Sequence, residues 1–232
     1  MKILITGAGR GLGLELARAG GDRGHTILAG LRDQTKAEGL TQLHNRFPGR
    51  IHPLSMEVTN EASIAESATK AMSEFGSIDV IINNAGVLVE RDKRIEDLDF
   101  AQLQFTMDVN LYGPMRVVKH FLPLLLKGQD QSIVNISSEA GSFHNAYGGD
   151  YPYAISKAAL NMFSEQLKKY VKEKEINVYA IHPGWIKTDM GGDKAPGSPV
   201  ETANNIMDIV EGKTSVKSDF AFIDHRGGSM AI

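Results

Sequence analysis

Short apolar runs rich in β-branched residues alternate along this chain with longer stretches whose apolar residues recur at helical spacing. The runs predict strands near Lys2–Thr6, Thr26–Leu31, Ile51–Ser55, Asp79–Asn83, Ser132–Ser137, Asn177–His182 and Asp219–Phe222. Two of them, Ile78-Asp79-Val80-Ile81-Ile82 and Ile133-Val134-Asn135-Ile136, are nearly continuous in apolar character, as strands covered on both faces are. The helical spacing predicts helices over Gly13–Ala19, Glu61–Phe75, Leu103–Leu126 and Tyr153–Lys172, the third bent or closely approached at Gly113-Pro114. Such alternation predicts an α/β fold, one doubly wound parallel sheet flanked by helices on both faces. No repeat or low-complexity linker interrupts it, so residues 1–232 are expected to form a single domain. The segment 190–199, with Gly191, Gly192, Pro196, Gly197 and Pro199, reads as a lid over a site or as an ordinary surface loop.

Composition narrows the chemistry. With 42% hydrophobic residues among 232, the chain can bury a substantial core, and 25 Lys plus Arg against 28 Asp plus Glu leave a net charge of −3 with no long basic run. That is not the charge of a nucleic-acid binder. Cysteine is absent, which excludes disulfides, thiolate metal sites and cysteine nucleophiles. The apolar start Met1–Thr6 is too short for a signal peptide, and no stretch approaches membrane-spanning length, so a cytoplasmic protein without a membrane partner is expected. His44, His52, His120, His144, His182 and His225 stand without ligand spacing, and no metal site is expected. The run Glu90–Asp99 mixes both signs and reads as a solvated loop and helix start.

The first strand runs into Thr6-Gly7-Ala8-Gly9-Arg10-Gly11-Leu12-Gly13, with a helix starting at its end. Glycines in that setting let backbone approach a pyrophosphate closely while the helix N-terminus faces its charge. The second strand ends Ala29-Gly30-Leu31-Arg32-Asp33, with Leu31 where an acid for the ribose hydroxyls is expected and Arg32 after it. Arg32 and Arg10 offer two guanidinium groups to a 2′-phosphate, which favours NADP(H) over NAD(H); alternatively Arg32 is a solvated residue paired with Asp33. Far downstream, Tyr153 and Lys157 lie four apart and share a helix face. A lysine ammonium is expected to lower the phenol's pKa and fit it for proton transfer.

Thr6-Gly7 with Gly11 and Gly13, then Asn83-Asn84-Ala85-Gly86, Asn110, Ser138 and Tyr153 with Lys157, resemble in this order the short-chain dehydrogenase/reductase family over nearly the whole chain. Ile181-His182-Pro183-Gly184-Trp185-Ile186-Lys187-Thr188-Asp189-Met190 and the Tyr-Ala-x-Ser-Lys run add a resemblance to its NADPH-dependent carbonyl-reductase-like members. The resemblance implies a Rossmann fold and reversible hydride transfer between NADPH and a small-molecule carbonyl or alcohol. It makes Tyr153 the acid in carbonyl reduction and the base in alcohol oxidation. Lys157 would lower its pKa and hold the nicotinamide ribose, Ser138 would hydrogen-bond the substrate oxygen, and Asn110 would anchor a water joining Lys157 to solvent. On the cofactor side it implies Gly7, Arg10, Gly11, Leu12, Gly13, Arg32, Glu57, Val58, Asn84, Ala85 and Gly86. It adds Tyr153 with Lys157, and Pro183, Gly184, Ile186 and Thr188, the last touching the nicotinamide end or the phosphates.

Each assignment has a plainer competitor. Ser137 adjoins Ser138, but strand alternation turns the two apart and the family's Asn-Ile-Ser-Ser pattern favours the second. Tyr147 and Tyr151 lack a lysine four residues on, Asn110 could simply bond nearby backbone, and His182 reads as a structural strand-end residue. Glu57-Val58 stands where relatives commonly show Asp-Val, and Ser138 to Tyr153 is slightly long, with Gly141, Gly148 and Gly149 inside it. Rival readings are an epimerase or dehydratase of the same fold, and an NADP-binding sensor without turnover. The helices at Leu103–Leu126 and Tyr153–Lys172 resemble those through which family members pair, so a homodimer or homotetramer is expected. Phe143, Tyr147 and Trp185 predict an apolar or aromatic substrate pocket, without separating a steroid from an aldehyde, a quinone or a keto ester.

Overall fold

Seven strands form one sheet in the computed structural model, which describes residues 1–33 and 37–232. They are β1 (Lys2–Thr6), β2 (Thr26–Leu31), β3 (Ile51–Ser55), β4 (Val80–Asn83), β5 (Ser132–Ile136), β6 (Asn177–His182) and β7 (Phe222–Asp224). The order is β3-β2-β1-β4-β5-β6-β7, and every neighbouring pair is parallel. The winding reverses between β1 and β4, which opens a crevice at their carboxyl ends.

Helices cover both faces: α1 (Gly11–Asp22), α2 (Glu38–Arg46), α3 (Glu61–Phe75), α4 (Phe100–Met107), α5 (Gly113–Leu125), α6 (Tyr151–Tyr170) and α7 (Pro199–Val210). Successive strand residues enter opposite layers, as a pleated strand requires. Ile3, Ile5, Val80, Ile82, Val134 and Ile136 pack in one core with Leu16 of α1 and Ile206 of α7. Leu4, Ile81 and Ile133 pack in the other with Ile64 of α3, Phe121 of α5 and Leu167 of α6. At the sheet's amino edge, Arg23 after α1 bonds Asp208 and Glu211 at 2.7 Å each, and His25 bonds Glu211 at 2.6 Å.

The predicted helix Leu103–Leu126 is two helices. Between α4 and α5 the backbone widens into a π-helical turn, Asp108–Tyr112, because Pro114 has no N–H to continue the regular ladder and instead opens α5 in its first turn. Pro199, counted with the 190–199 segment, begins α7, where the Ser198 hydroxyl accepts from the Glu201 N–H at 3.4 Å. The last strand lies later than Asp219–Phe222, since pairing with Ala180–His182 of β6 selects Phe222–Asp224. Among the described residues no helix is long and apolar enough to cross a membrane.

Candidate active site

Backbone contact shapes the crevice first. Gly7 has φ +66°, and a Cβ there would stand 2.9 Å from Ala85 Cα; a Cβ on Gly13 would stand 2.3 Å from the Gly7 carbonyl oxygen. Only hydrogen fits at these positions, so the turn packs flat against the residues after β4. Asn84 holds it there, donating to the carbonyls of Thr6 (2.9 Å) and Gly7 (3.2 Å), while Thr6 Oγ1 accepts from the N–H groups of Asn84 and Ala85, both at 3.0 Å. The first turn of α1 carries neither a side-chain cap nor an acidic residue. Its N–H groups and dipole remain for an anion, and this cradle fits a dinucleotide pyrophosphate. Leu12 turns away into the core.

Both arginines assigned to a 2′-phosphate already meet carboxylates. Arg10 lies 2.7 Å from Asp189 and Arg32 3.5 Å from Glu57, with their side chains 81% and 78% exposed. Glu57 also accepts from Thr59 N (3.3 Å) and Oγ1 (3.0 Å), so its carboxylate is tied to its own loop. Val58 is buried against Gly113, where a Cβ would stand 3.1 Å from it.

The candidate catalytic residues gather at the carboxyl ends of β4, β5 and β6. Lys157, buried on α6, donates through Nζ to the Ile136 carbonyl at 2.7 Å and lies 5.5 Å from the Tyr153 ring centroid. Burial pushes its pKa down to about 8. Burial raises the Tyr153 pKa, with a smaller lowering from its hydrogen bond with Ser138; Asp150 raises it and Arg91 lowers it. The direction is opposite to the expected lowering by Lys157, because desolvation of the phenolate outweighs the charges around it. Asn110, in the π-helical turn, accepts from Val87 N at 2.8 Å and donates to Val87 O (2.9 Å) and Ser156 Oγ (3.0 Å). It thereby pins the loop after Gly86, where a Cβ would stand 3.4 Å from Asn110 Oδ1 and 3.8 Å from Lys157 Nζ.

Ser137 points the other way and donates to Asn161 at 2.6 Å. Ser138 is followed by a short turn, Glu139–Gly141, that lies against α6: a Cβ on Gly141 would stand 2.6 Å from the Lys157 carbonyl carbon. The 190–199 segment folds back on the strand-end run, with Lys187 N–Gly197 O at 2.9 Å, Gly197 N–Trp185 O at 3.0 Å and Trp185 Nε1–Gly191 O at 2.8 Å. Ile186 is buried beneath it, Thr188 lies 3.6 Å from a Cβ built on Gly11, and Gly184 takes φ +83° after Pro183. Sequence reasoning passed over Arg91 and Asp150. Arg91 donates to Met190 O at 2.9 Å, and Asp150 accepts from the Tyr147 hydroxyl at 2.9 Å. In the mixed-sign run Glu90–Asp99 nothing marks Arg91 out, since its partner lies about a hundred residues away.

A profile of the short chain dehydrogenase family matches residues 1–198. The chain belongs to that family. Membership makes it one of a family of oxidoreductases with the Rossmann-type sheet seen here. The NADPH-dependent pterin aldehyde reductase of Arabidopsis thaliana is 34% identical over 190 residues, covering 81% of this chain and 76% of that one. The carbonyl reductase Sniffer of D. melanogaster superposes with a TM-score of 0.92 at 28% identity, over 100% of this chain and 99% of that one. An NADPH-bound carbonyl reductase from chicken fatty liver gives 0.90 at 30% identity, over 100% and 98%. In this short chain dehydrogenase the glycine cradle lies where the sheet reverses direction, and Ser138, Tyr153 and Lys157 gather beside it.

Proposed function

We propose that the protein is an NADP(H)-dependent oxidoreductase acting on a small carbonyl or alcohol, its 232 residues forming one domain. The observation that carries the reading is the meeting of Ser138, Tyr153 and Lys157 beside Gly86, next to the glycine cradle. Bound nicotinamide would supply or accept the hydride. The chain's own residues do the rest. Ser138 orients the substrate oxygen and steadies the charge that grows on it. The raised Tyr153 pKa keeps the phenol protonated at neutral pH, which suits proton donation to that oxygen during reduction. Lys157, released from the Ile136 carbonyl, would reach the nicotinamide ribose, and Asn110 holds the loop that walls the crevice.

NADP(H) is favoured over NAD(H) because the exposed Arg10 in the glycine turn and Arg32 after β2 would offer guanidinium groups to a 2′-phosphate, and the NADPH-bound chicken relative shares the whole fold. The exposed Tyr112 and Met115 near α5 and Ile155 and Met162 of α6 support a second copy seated on this face. The test is NADPH and NADH oxidation at about 340 nm (the reduced nicotinamide absorbance) over ketones, aldehydes and quinones, with Tyr153→Phe alongside. Turnover lost in the variant with NADPH binding retained is the expected result. Binding without turnover on the whole panel would move the weight to an NADP sensor.

A further inference from the structure

The ladder between β5 and β6 ends beside Ser138 on a side chain. Its last backbone rung is Ser137 N–H to Ile181 O, 2.8 Å. Evenly spaced parallel rungs would next carry the Glu139 N–H to the Pro183 carbonyl. That carbonyl accepts instead from Thr202 Oγ1 of α7 at 3.1 Å. The Glu139 N–H donates to His182 Nδ1 at 3.1 Å. Ser138, extended at φ −158° and ψ 152°, is therefore held between two N–H groups anchored on β6, one by backbone and one by imidazole. A ring nitrogen accepts only when it carries no proton, so this contact requires neutral His182 with its proton on Nε2.

We propose that His182 is a positioning residue: its bare Nδ1 terminates the β5–β6 ladder and fixes the backbone that presents the Ser138 hydroxyl to the substrate oxygen. The kinetic consequence rests on the oxidoreductase reading above; the hydrogen bond and tautomer do not. Protonation turns the acceptor into a donor, expels the Glu139 N–H and frees Ser138. The groups facing the ring are Glu139 on the turn after β5 and Asp224 and His225 at the end of β7. His225 in turn faces Arg226, Asp224 and Glu201 of α7, and contacts Asn205 at 3.0 Å. Burial, with help from His225, outweighs Glu139 and Asp224 and lowers the His182 pKa, which keeps the acceptor available at neutral pH.

NMR of the protein labelled with 15N-histidine reads the tautomer whether or not a substrate is known. Near neutral pH, Nε2 protonated and Nδ1 bare is expected; a protonated Nδ1 overturns the proposal. With NADPH and any carbonyl the protein reduces, His182→Ala should lower kcat about ten- to a hundredfold, the scale of a small misplacement at a reacting centre, with NADPH affinity nearly unchanged. His182→Asn, whose amide oxygen lies near the Nδ1 position, should recover most of kcat and lose the acid-side decline of the wild type. Equal losses in both variants, or an alanine variant with wild-type kcat and pH profile, would refute the role. If the wild type reduces no carbonyl, the oxidoreductase reading fails and the Glu139 amide decides. Its proton must then exchange quickly in His182→Ala and slowly in the wild type and His182→Asn.

Discussion

Lys157 holds a charge that its surroundings disfavour. Its pKa is depressed from 10.5 to about 8, so the folded state releases the proton more readily than the unfolded chain. The resulting cost is full below pH 8, on the order of 3 kcal/mol, and fades as pH rises toward 10.5. Lys157→Met should therefore abolish turnover yet unfold at a higher temperature than the wild type at pH 7, offset in part by the Ile136 carbonyl it leaves unpaired. In thermal melts that advantage should shrink as the buffer is raised above pH 8. The exposed arginines make a second residue-scale case. Arg32→Ala should weaken NADPH binding about tenfold in fluorescence titrations and leave NADH binding unchanged. Asp189→Asn, which releases Arg10 from its carboxylate, should tighten NADPH by no more than a few-fold, the scale of an exposed ion pair. An equal effect of Arg32→Ala on both nucleotides would rule out its phosphate role.

The elements show which kinds of information lie along the chain and which lie across it. α3 falls on the predicted Glu61–Phe75, because its apolar spacing and the Asn60 cap are both local, the cap oxygen accepting from Ser63 N at 3.1 Å. The glycine cradle is legible for a similar reason: a hydrogen side chain is needed wherever two backbones touch. The partners of Lys157 and Arg91 were not legible, since each depends on a contact made only when segments distant in sequence come together. The tie between α1 and α7 is of that kind. Glu211, held by Lys213, His25 and Arg23, has its pKa lowered to about 2 despite partial burial. A depressed carboxylate stabilises the fold above its unfolded pKa near 4.5 and loses that contribution as pH falls toward 2. Glu211→Gln should cost about 2 kcal/mol at pH 7 in urea melts, with the gap from wild type closing through that acid window. A gap independent of pH would show that packing, not charge, sets the effect.

Across the whole molecule, the coverage of both sheet faces follows from runs such as Ile3–Ile5 and Val80–Ile82, which feed two cores alternately and so demand helices on both sides. The break at Asp108–Tyr112 was less legible: Gly113-Pro114 marks a disturbance but does not say that it spreads backward into a wider turn. The apolar surface of α5 and α6 belongs to this scale as well. Sedimentation should give a mass above the 25.2 kDa of one chain, and Met115→Lys with Met162→Lys should return it to that value. One further consequence follows from the way Gly141 sits on the backbone of α6. That contact fixes one end of residues 142–149, and Asp150, which accepts from Asp92 N at 3.3 Å before α6 begins, anchors the other, so the chain between them can vary while Ser138 and Tyr153 stay on their own elements. If the proposed function holds, the stretch is in effect a replaceable cassette, and exchanging it should alter the substrate range while the proposed Ser138 and Tyr153 roles persist.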